Sequence, residues 1–445
     1  MPLRWSLAVI VLLLCSVGPM NAWAQAPNEE VLRLEAAIDE ALRNNPEVRI
    51  ADNEVDIAER EASLGGAGFL PELSLQARYN ETISNTNQQF RGQEAEDITG
   101  ARSTNAGADA ELSWRVFEGL GRFATLDRLR AERDAEQQRA RSTRQQLVTD
   151  VALAYYTVVR EQRQRVVLEE AVELSDERLR IAEVRNEVGR ASDLEVRQAR
   201  VDRNADQAEL LRQRATLQAA KSDLNRLLGR PTTDTDFAVE EAIEVDDTLT
   251  RDQLRERAEQ TNPVLQQAQA ARDAAEHEAR AVQATRWPTL DARLGYGVDR
   301  VESESGFVAQ STSYDATYGL SLQLPLFTGF ERRRQRQNAA VRVRNAELAV
   351  DDVQTELTTT LASAYTEYEN RLELVELETE NVALARENTE VALQQFEVGD
   401  ISSIELREVQ EQLVRAESQL VRARFDAKQA ELTLQELSGG VQAGM

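Results

Sequence analysis

Val188-Gly189-Arg190-Ala191-Ser192-Asp193-Leu194-Glu195 and Val398-Gly399-Asp400-Ile401-Ser402-Ser403-Ile404-Glu405 are two versions of one signal, 210 residues apart. A glycine that closes a long helical stretch is free to take a positive φ and so ends the helix. Ser-x-x-Glu, Ser192 to Glu195 and Ser402 to Glu405, is a capping box that starts the next helix. Each stretch therefore predicts the tip of a helical hairpin. Outward from the tips, residues 120–188 and 330–398 contain no proline, and Gly121 is their only glycine. About 70 residues at a 1.5 Å rise reach roughly 100 Å. Return helices are predicted from about Asp193 to Leu228 and from Ser403 to Leu437. Apolar positions in the first outgoing helix (Leu147, Val151, Ala154, Val158, Leu168, Val172, Leu179, Ala182) recur three and four apart. That spacing belongs to helices packed side by side.

The repetition extends beyond the tips. Asn45-Pro46 returns as Asn262-Pro263, Pro71 as Pro288 and Tyr79 as Tyr296, each 217 residues later. Phe117-Glu118-Gly119 returns as Phe327-Thr328-Gly329, Ala154-Tyr155 as Ala364-Tyr365 and Gly229 as Gly439, each 210 residues later. The seven-residue difference falls between Tyr79 and Phe117, so one loop there is longer in the first copy. The predicted organisation is a leader over 1–24, a first repeat over 25–230 with a β-hairpin at 71–117, and a linker at 231–250. A second repeat over 251–439 carries a hairpin at 288–327, and a tail covers 440–445. Asn-Pro suits the N-cap and first turn of a helix in both copies.

Between the prolines and the long helices lie four alternating runs. Leu73, Leu75, Ala77 and Tyr79 oppose Glu72, Ser74, Gln76 and Arg78; Ala108, Ala110, Leu112, Trp114 and Val116 oppose Asp109, Glu111, Ser113 and Arg115. The second copy sets Leu290, Ala292, Leu294, Tyr296 and Val298 against Asp291, Arg293 and Asp299, and Tyr314 to Leu324 alternates likewise. Each run has about ten residues, the length of a tilted strand through a bilayer. Tyr79, Trp114, Trp287 and Tyr314 stand near the run ends, where an aromatic girdle belongs. A half-buried strand of a soluble sandwich shows the same alternation, but the charged face and the span length favour a membrane. Four strands cannot close a barrel, and open edges are forbidden in lipid. The chain must oligomerise, a dimer giving eight strands and a trimer twelve.

Composition agrees with long solvated helices: 29% of residues are charged and 5% aromatic, too few aromatics for two compact cores. Arg4, the apolar run Leu7–Val17 and Ala22-Trp23-Ala24 read as a secretory leader cut after Ala24. Cys15 lies inside that run behind Leu14, which gives no lipid-anchor signal. The net charge of −26 argues against a nucleic-acid partner. A lone His277 and a mature chain without cysteine give no metal site, and no nucleophile motif or phosphate loop points to an enzyme or to a cofactor.

Taken in order, these features resemble the TolC family of outer-membrane efflux proteins over the whole mature chain. The resemblance implies a mainly α fold with a membrane β-barrel portion, internally duplicated. It implies a homotrimer whose twelve-strand barrel continues into a twelve-helix α-barrel tunnel through the periplasm of a Gram-negative cell. The implied role is a passive outer-membrane channel carrying drugs, small molecules or proteins. The implied partners are a periplasmic adaptor (a membrane fusion protein) and an inner-membrane RND or ABC pump, with outer-membrane lipid around the barrel. Residues 230–250 would help form a small mixed region around the tunnel's middle. The tips Val188, Gly189, Arg190, Val398, Gly399 and Asp400 would dock the adaptor.

Alignment on Gly399 puts the family's acidic constriction on Glu405 and Glu408, with Glu195 after the first tip. Glutamate stands where the family has the shorter aspartate, and Asp400-Ile401 replaces the basic residue usual past the second glycine. Arg190 and Arg407 are the basic side chains left nearby. Glu195 is expected to serve mainly as a cap. Glu408 shares a helical face with Glu405 and has no capping duty, so Glu405 and Glu408 are the expected cation-binding constriction. The competing reading is a periplasmic coiled-coil adaptor or structural protein without a pore.

Overall fold

The computed structural model describes residues 30–89, 91–92, 94–240, 242–305 and 308–440. The expected leader, Cys15 and residues 441–445 of the expected tail lie outside them. β1 (Glu30–Leu32), α1 (Leu34–Asn44) and α2 (Pro46–Glu61) precede β2 (Glu72–Gln88) and β3 (Glu96–Glu118). α3 (Gly121–Glu187) and α4 (Asp193–Leu228) follow as a helical hairpin, then β4 (Phe237–Val239). The same order then returns as α5 (Arg251–Thr261), α6 (Pro263–Ala284), β5 (Thr289–Ser303), β6 (Gln310–Gln323), α7 (Glu331–Val398) and α8 (Ser403–Leu437).

The four long strands form one antiparallel sheet in the order β2-β3-β5-β6. Its register carries each apolar row across all four strands: Leu73 opposes Leu112, Leu112 opposes Leu294, and Leu294 opposes Tyr318. The next row is Leu75, Ala110, Tyr296 and Ala316. Leu73, Leu75, Tyr318, Leu320 and Leu322 are exposed in the single chain. The other face is polar and internally paired. Arg78 crosses Gly107 to reach Asp299 and also bonds Asp109 at 2.9 Å, while Arg115 bonds Asp291 at 3.0 Å. A side chain at Gly107 would drive its Cβ into Asp299 Oδ1, so glycine keeps that crossing open. The register shifts between Arg115 and Phe117. This bulge, which strict alternation did not foresee, sets Phe117 opposite Leu290 and ends Val116's place in the apolar series.

Each descending strand joins its helix through two left-handed residues, Gly119-Leu120 and Gly329-Phe330. Below the joint, the helices form one layer of four columns. Toward the tips α3 packs against α4 and α8, and α8 against α7; toward the sheet α3 packs against α2 and α6, and α6 against α7. The outer columns are thus α4 with α2 on one flank and α7 on the other.

The Asn-Pro pairs make the shorter helices into full columns. Asn45 caps α2, its Oδ1 accepting from the Glu47 amide at 2.8 Å, while its Nδ2 donates to the Leu227 carbonyl at the end of α4, 3.1 Å away. Asn262 does the same for α6 and α8. Its Oδ1 accepts from the Val264 and Leu265 amides, and its Nδ2 donates to the Leu437 carbonyl at 3.0 Å. One buried amide therefore satisfies orphan groups of two helix ends at once. The sequence pattern pointed only to the N-cap half.

A small belt wraps the middle. β1 pairs in parallel with β4, and Leu32, Ile38, Val48, Phe237 and Val239 pack on Leu147, Val151, Tyr155 and Val158 of α3. Tyrosine hydroxyls pin the belt's backbone. Tyr155 donates to the Leu32 carbonyl and accepts from the Glu240 amide, and Tyr365 donates to the Leu249 carbonyl. Ala154 in the predicted stripe is only partly buried, whereas Leu147, Val151 and Val158 form its core.

Asn262→Ala should cost about 2 kcal/mol and speed hydrogen exchange at Val264 and Leu265. Asn262→Asp keeps the acceptor but loses the donor, so it should restore protection at those two amides without recovering full stability. Equal exchange in all three proteins would show that the amide does not join the helices. Gly107→Ala should break the Arg78–Asp299 pair and lower the stability of the sheet by about 1–3 kcal/mol, read as a fall in the temperature at which the strand signal is lost.

Candidate functional site

The tips are built from both helical hairpins. Gly189 and Gly399 take φ of 73° and 93°. The amides that follow turn back onto the ending helix, Arg190 to the Arg185 carbonyl at 2.7 Å and Asp400 to the Gln395 carbonyl at 2.9 Å. Behind the turns Phe396 is buried with Ile181, Ala392 and Leu406. Arg185 lies over the Phe396 ring, 4.9 Å from its centroid, and donates from Nη1 to the Phe396 carbonyl at 3.2 Å. This one side chain ties the end of α3 to the end of α7. Its only sequence signal is a basic residue in the last turn of a helix. Val188, Arg190, Val398 and Asp400 are exposed around it.

The two capping motifs differ in detail. Ser402 Oγ accepts from the Glu405 amide at 3.2 Å, and Glu405 Oε2 accepts from the Ser402 amide at 2.8 Å, a closed reciprocal box. At the first tip Ser192 accepts from the Glu195 amide at 3.3 Å, but Glu195 makes no return bond to Ser192. There Asn186 organises the turn instead, donating to the Ala191 carbonyl and to Asp193 Oδ1. The capping box expected at both tips is therefore complete only at the second, where Glu405 closes it, and Glu195 makes half of one. The Ser402 amide and hydroxyl hold the Glu405 carboxyl below the usual carboxylate range. Its contribution to the tip is present at neutral pH and is lost as pH falls through that lowered value. Glu408 is exposed one turn further along α8.

Behind the carboxylates a charged ladder joins three helices. Arg178 of α3 is fully buried and bonds Asp202 of α4 at 2.6 Å. Burial pulls its pKa below the ordinary arginine value, and Asp202 opposes that pull. Arg407 of α8 grips Asp206 of α4 with both Nη atoms, at 2.7 and 2.9 Å, and Glu411 at 2.8 Å. Arg407 is thus spent within the chain, whereas Arg190 forms no ion pair among the described residues. Between the starts of α4 and α8 lies a cleft of about 540 Å³ whose lining includes Leu194, Glu195, Ile404, Arg407 and Glu411. Glu195 faces this cleft, and Glu405 and Glu408 lie outside its lining.

At the other end of the molecule the four aromatics fall at two levels of the sheet. Trp114 opposes Ala292 at the helix end, and Trp287 stands just before β5 at that same end. Tyr79 opposes Ala106, and Tyr314 opposes Val298, toward the loops. All four are exposed, and Trp114 Nε1 donates to the Phe69 carbonyl at 2.9 Å. Eight residues of β3 separate the Trp114 and Tyr79 levels, about 27 Å along the strand and about 20 Å in height at a tilt near 40°.

This combination of a bilayer-high apolar sheet and a long helical layer has known relatives. The chain is 27% identical over 362 residues to the protein CyaE of Bordetella pertussis, covering 78% of this chain and 72% of that one. It is 22% identical to the proteases secretion protein PrtF of Dickeya chrysanthemi, covering 90% and 86%. Its fold matches the crystal structure of the outer membrane protein VceC from Vibrio cholerae with a TM-score of 0.72 at 20% identity, covering 92% and 96%. A family model described as outer membrane efflux protein matches residues 37–230 and 254–440. Those two matched segments take in the long helices, the sheet and both tips, and the chain belongs to the outer membrane efflux protein family.

Proposed function

We propose that three copies of this chain close head to tail into a passive duct, and that its tips dock on a periplasmic adaptor served by an inner-membrane RND or ABC pump. Export through the outer membrane follows from family membership. The observation that carries the assembled form is that both layers of the protomer end in unsatisfied flanks on the same two sides. The sheet leaves one edge of β2 and one of β6 without a partner. The outer helical columns carry exposed apolar residues seven apart: Ile50 and Ile57 on α2, Leu194 and Val201 on α4, Leu377, Leu384, Val391 and Val398 on α7. Seven-residue spacing is the mark of a helix–helix seam.

A passage wide enough for cargo favours three copies over two. Two copies give eight strands, a barrel whose interior is just filled by side chains. Three give twelve strands and a backbone diameter of about 24 Å at a tilt near 40°, the smallest ring that leaves a passage. Tyr79, Tyr314, Trp114 and Trp287 then sit as girdles at the two bilayer interfaces. Cargo is whatever the pump delivers: drugs, small molecules or, as the name of PrtF says of that relative, proteases.

The tips Val188, Gly189, Arg190, Val398, Gly399 and Asp400 offer the adaptor exposed apolar and charged contacts. In a threefold ring Glu195, Glu405 and Glu408 each recur three times near the axis, which favours cations in the constriction. Glu405 also caps α8, so Glu408 is the residue whose removal tests the constriction without disturbing a helix start.

Glu408→Gln and Glu405→Ala/Glu408→Ala should lower the cation-to-anion permeability ratio in planar bilayers; an unchanged ratio in both removes the constriction. Leu384→Glu places a charge in the α7 seam, at a cost of several kcal/mol per buried copy. The unaltered chain should cross-link as a trimer in outer-membrane fractions and the variant should not, and a trimer surviving the change would put the seam elsewhere.

A further inference from the structure

The chain carries a net charge of −26, yet the first turns of α7 are strongly basic. Residues 331–344 hold six arginines and a single acid, Glu331. Arg332 donates to the Pro325 carbonyl at 3.0 Å and Arg334 pairs with Glu331, while Arg342 lines a concave cavity with Glu54, Glu61 and Glu278. Arg333, Arg336 and Arg344 are exposed and form no ion pair among the described residues. In a chain with so large an acidic excess, partners for them were plentiful. A wheel of about 100° per residue sets Arg333 and Arg344 opposite Arg342 and the cavity it lines, with Arg336 beside them.

This patch sits at the helix end of the sheet. Thr289 of β5 opposes Gln323 of β6, so Trp287 and Pro325 lie at one level, and Arg332 fastens the start of α7 to Pro325. Leu324, Leu326, Phe327 and Phe330 are exposed along the descent from β6 to α7. Arg286 stacks on the exposed Trp287, 5.3 Å from its ring, and it too has no ion pair among the described residues. Arg333 and Arg336 stand about 3 and 8 Å below the joint, the depth of a headgroup layer beneath a hydrocarbon core. Arg344, near 20 Å, lies below it. The start of α3 differs, because its Arg122 is buried and donates to the Arg115 carbonyl.

We infer that Arg286, Arg333 and Arg336 bind the phosphates of anionic phospholipids in the periplasmic leaflet, with Trp287, Phe327 and Phe330 seated at the edge of the acyl chains. Apolar and aromatic side chains above and guanidinium groups below match the order of acyl chain and phosphate in that leaflet. The inference rests on the reading that the sheet spans the membrane.

The test is retention of phosphatidylglycerol against phosphatidylcholine by the purified full-length assembly, counted by native mass spectrometry after extraction from vesicles containing equal amounts of both. The unaltered protein should retain phosphatidylglycerol preferentially. Arg333→Gln/Arg336→Gln should reduce that preference about fivefold for each arginine removed, and Arg344→Gln should leave it intact. Equal retention of the two lipids by the unaltered protein, or a preference that survives the double change, overturns the proposal. So does loss of bound phosphatidylglycerol to inorganic phosphate but not to chloride at matched ionic strength, which would mark a free-anion site. Conductance of the same preparation separates the two readings. A conducting protein without lipid preference removes the lipid site alone, and a protein that neither inserts nor conducts removes both.

Discussion

A backbone amide in hydrocarbon has no water to turn to, and this requirement governs the arrangement of the chain. Four strands satisfy one another internally but leave β2 and β6 with one bare edge each. Among the described residues no strand pairs with those edges. The helical layer meets the same problem in a milder form, since water can solvate its flanks while the exposed Leu377, Leu384 and Val391 gain from leaving water. Both layers therefore favour the same solution, a neighbouring copy, and the proposed duct is the closed form of that solution.

Closure requires that sheet and helices keep a common width. Each protomer presents four strands above and four columns below, although only α3 and α7 run the full length as single helices. The Asn45 and Asn262 amides supply the other two columns by joining α4 to α2 and α8 to α6. A proline begins each upper piece and a glycine follows each lower one, so the joint needs a side chain that can both accept and donate. Asparagine does this without a charge.

Much of this was legible in the sequence. The period-two runs, the glycine-free helical stretches and the paired Asn-Pro signals are local patterns, and local patterns are what a sequence shows. The family's constriction positions were readable only by alignment on Gly399. What stayed hidden involves residues far apart in the chain. The pairing of β3 with β5, the donor half of each asparagine joint, and the grip of Arg407 on Asp206 are set by tertiary neighbours. The reciprocal capping box expected at both tips closes only at Glu405, for the same reason. Both follow a serine by three, but Asn186, five residues before Ala191, organises the first turn and leaves Glu195 free, whereas the second tip leaves that work to Glu405. The bulge after Arg115 was invisible because alternation alone does not say where a strand must bend into a joint.

The joined columns also act as a ruler. α3 and α7 have 67 and 68 residues, and α4 and α8 have 36 and 35. Lengthening one helix by a heptad would move its tip about 10 Å past the other, pulling Arg185 off Phe396 and Arg407 off Asp206. The reach of the protein across the periplasm can therefore change only when both halves change together, in steps of whole heptads, with the joints left where they are. The length of the helical layer is in this way recorded as a residue count, kept in both of its long hairpins.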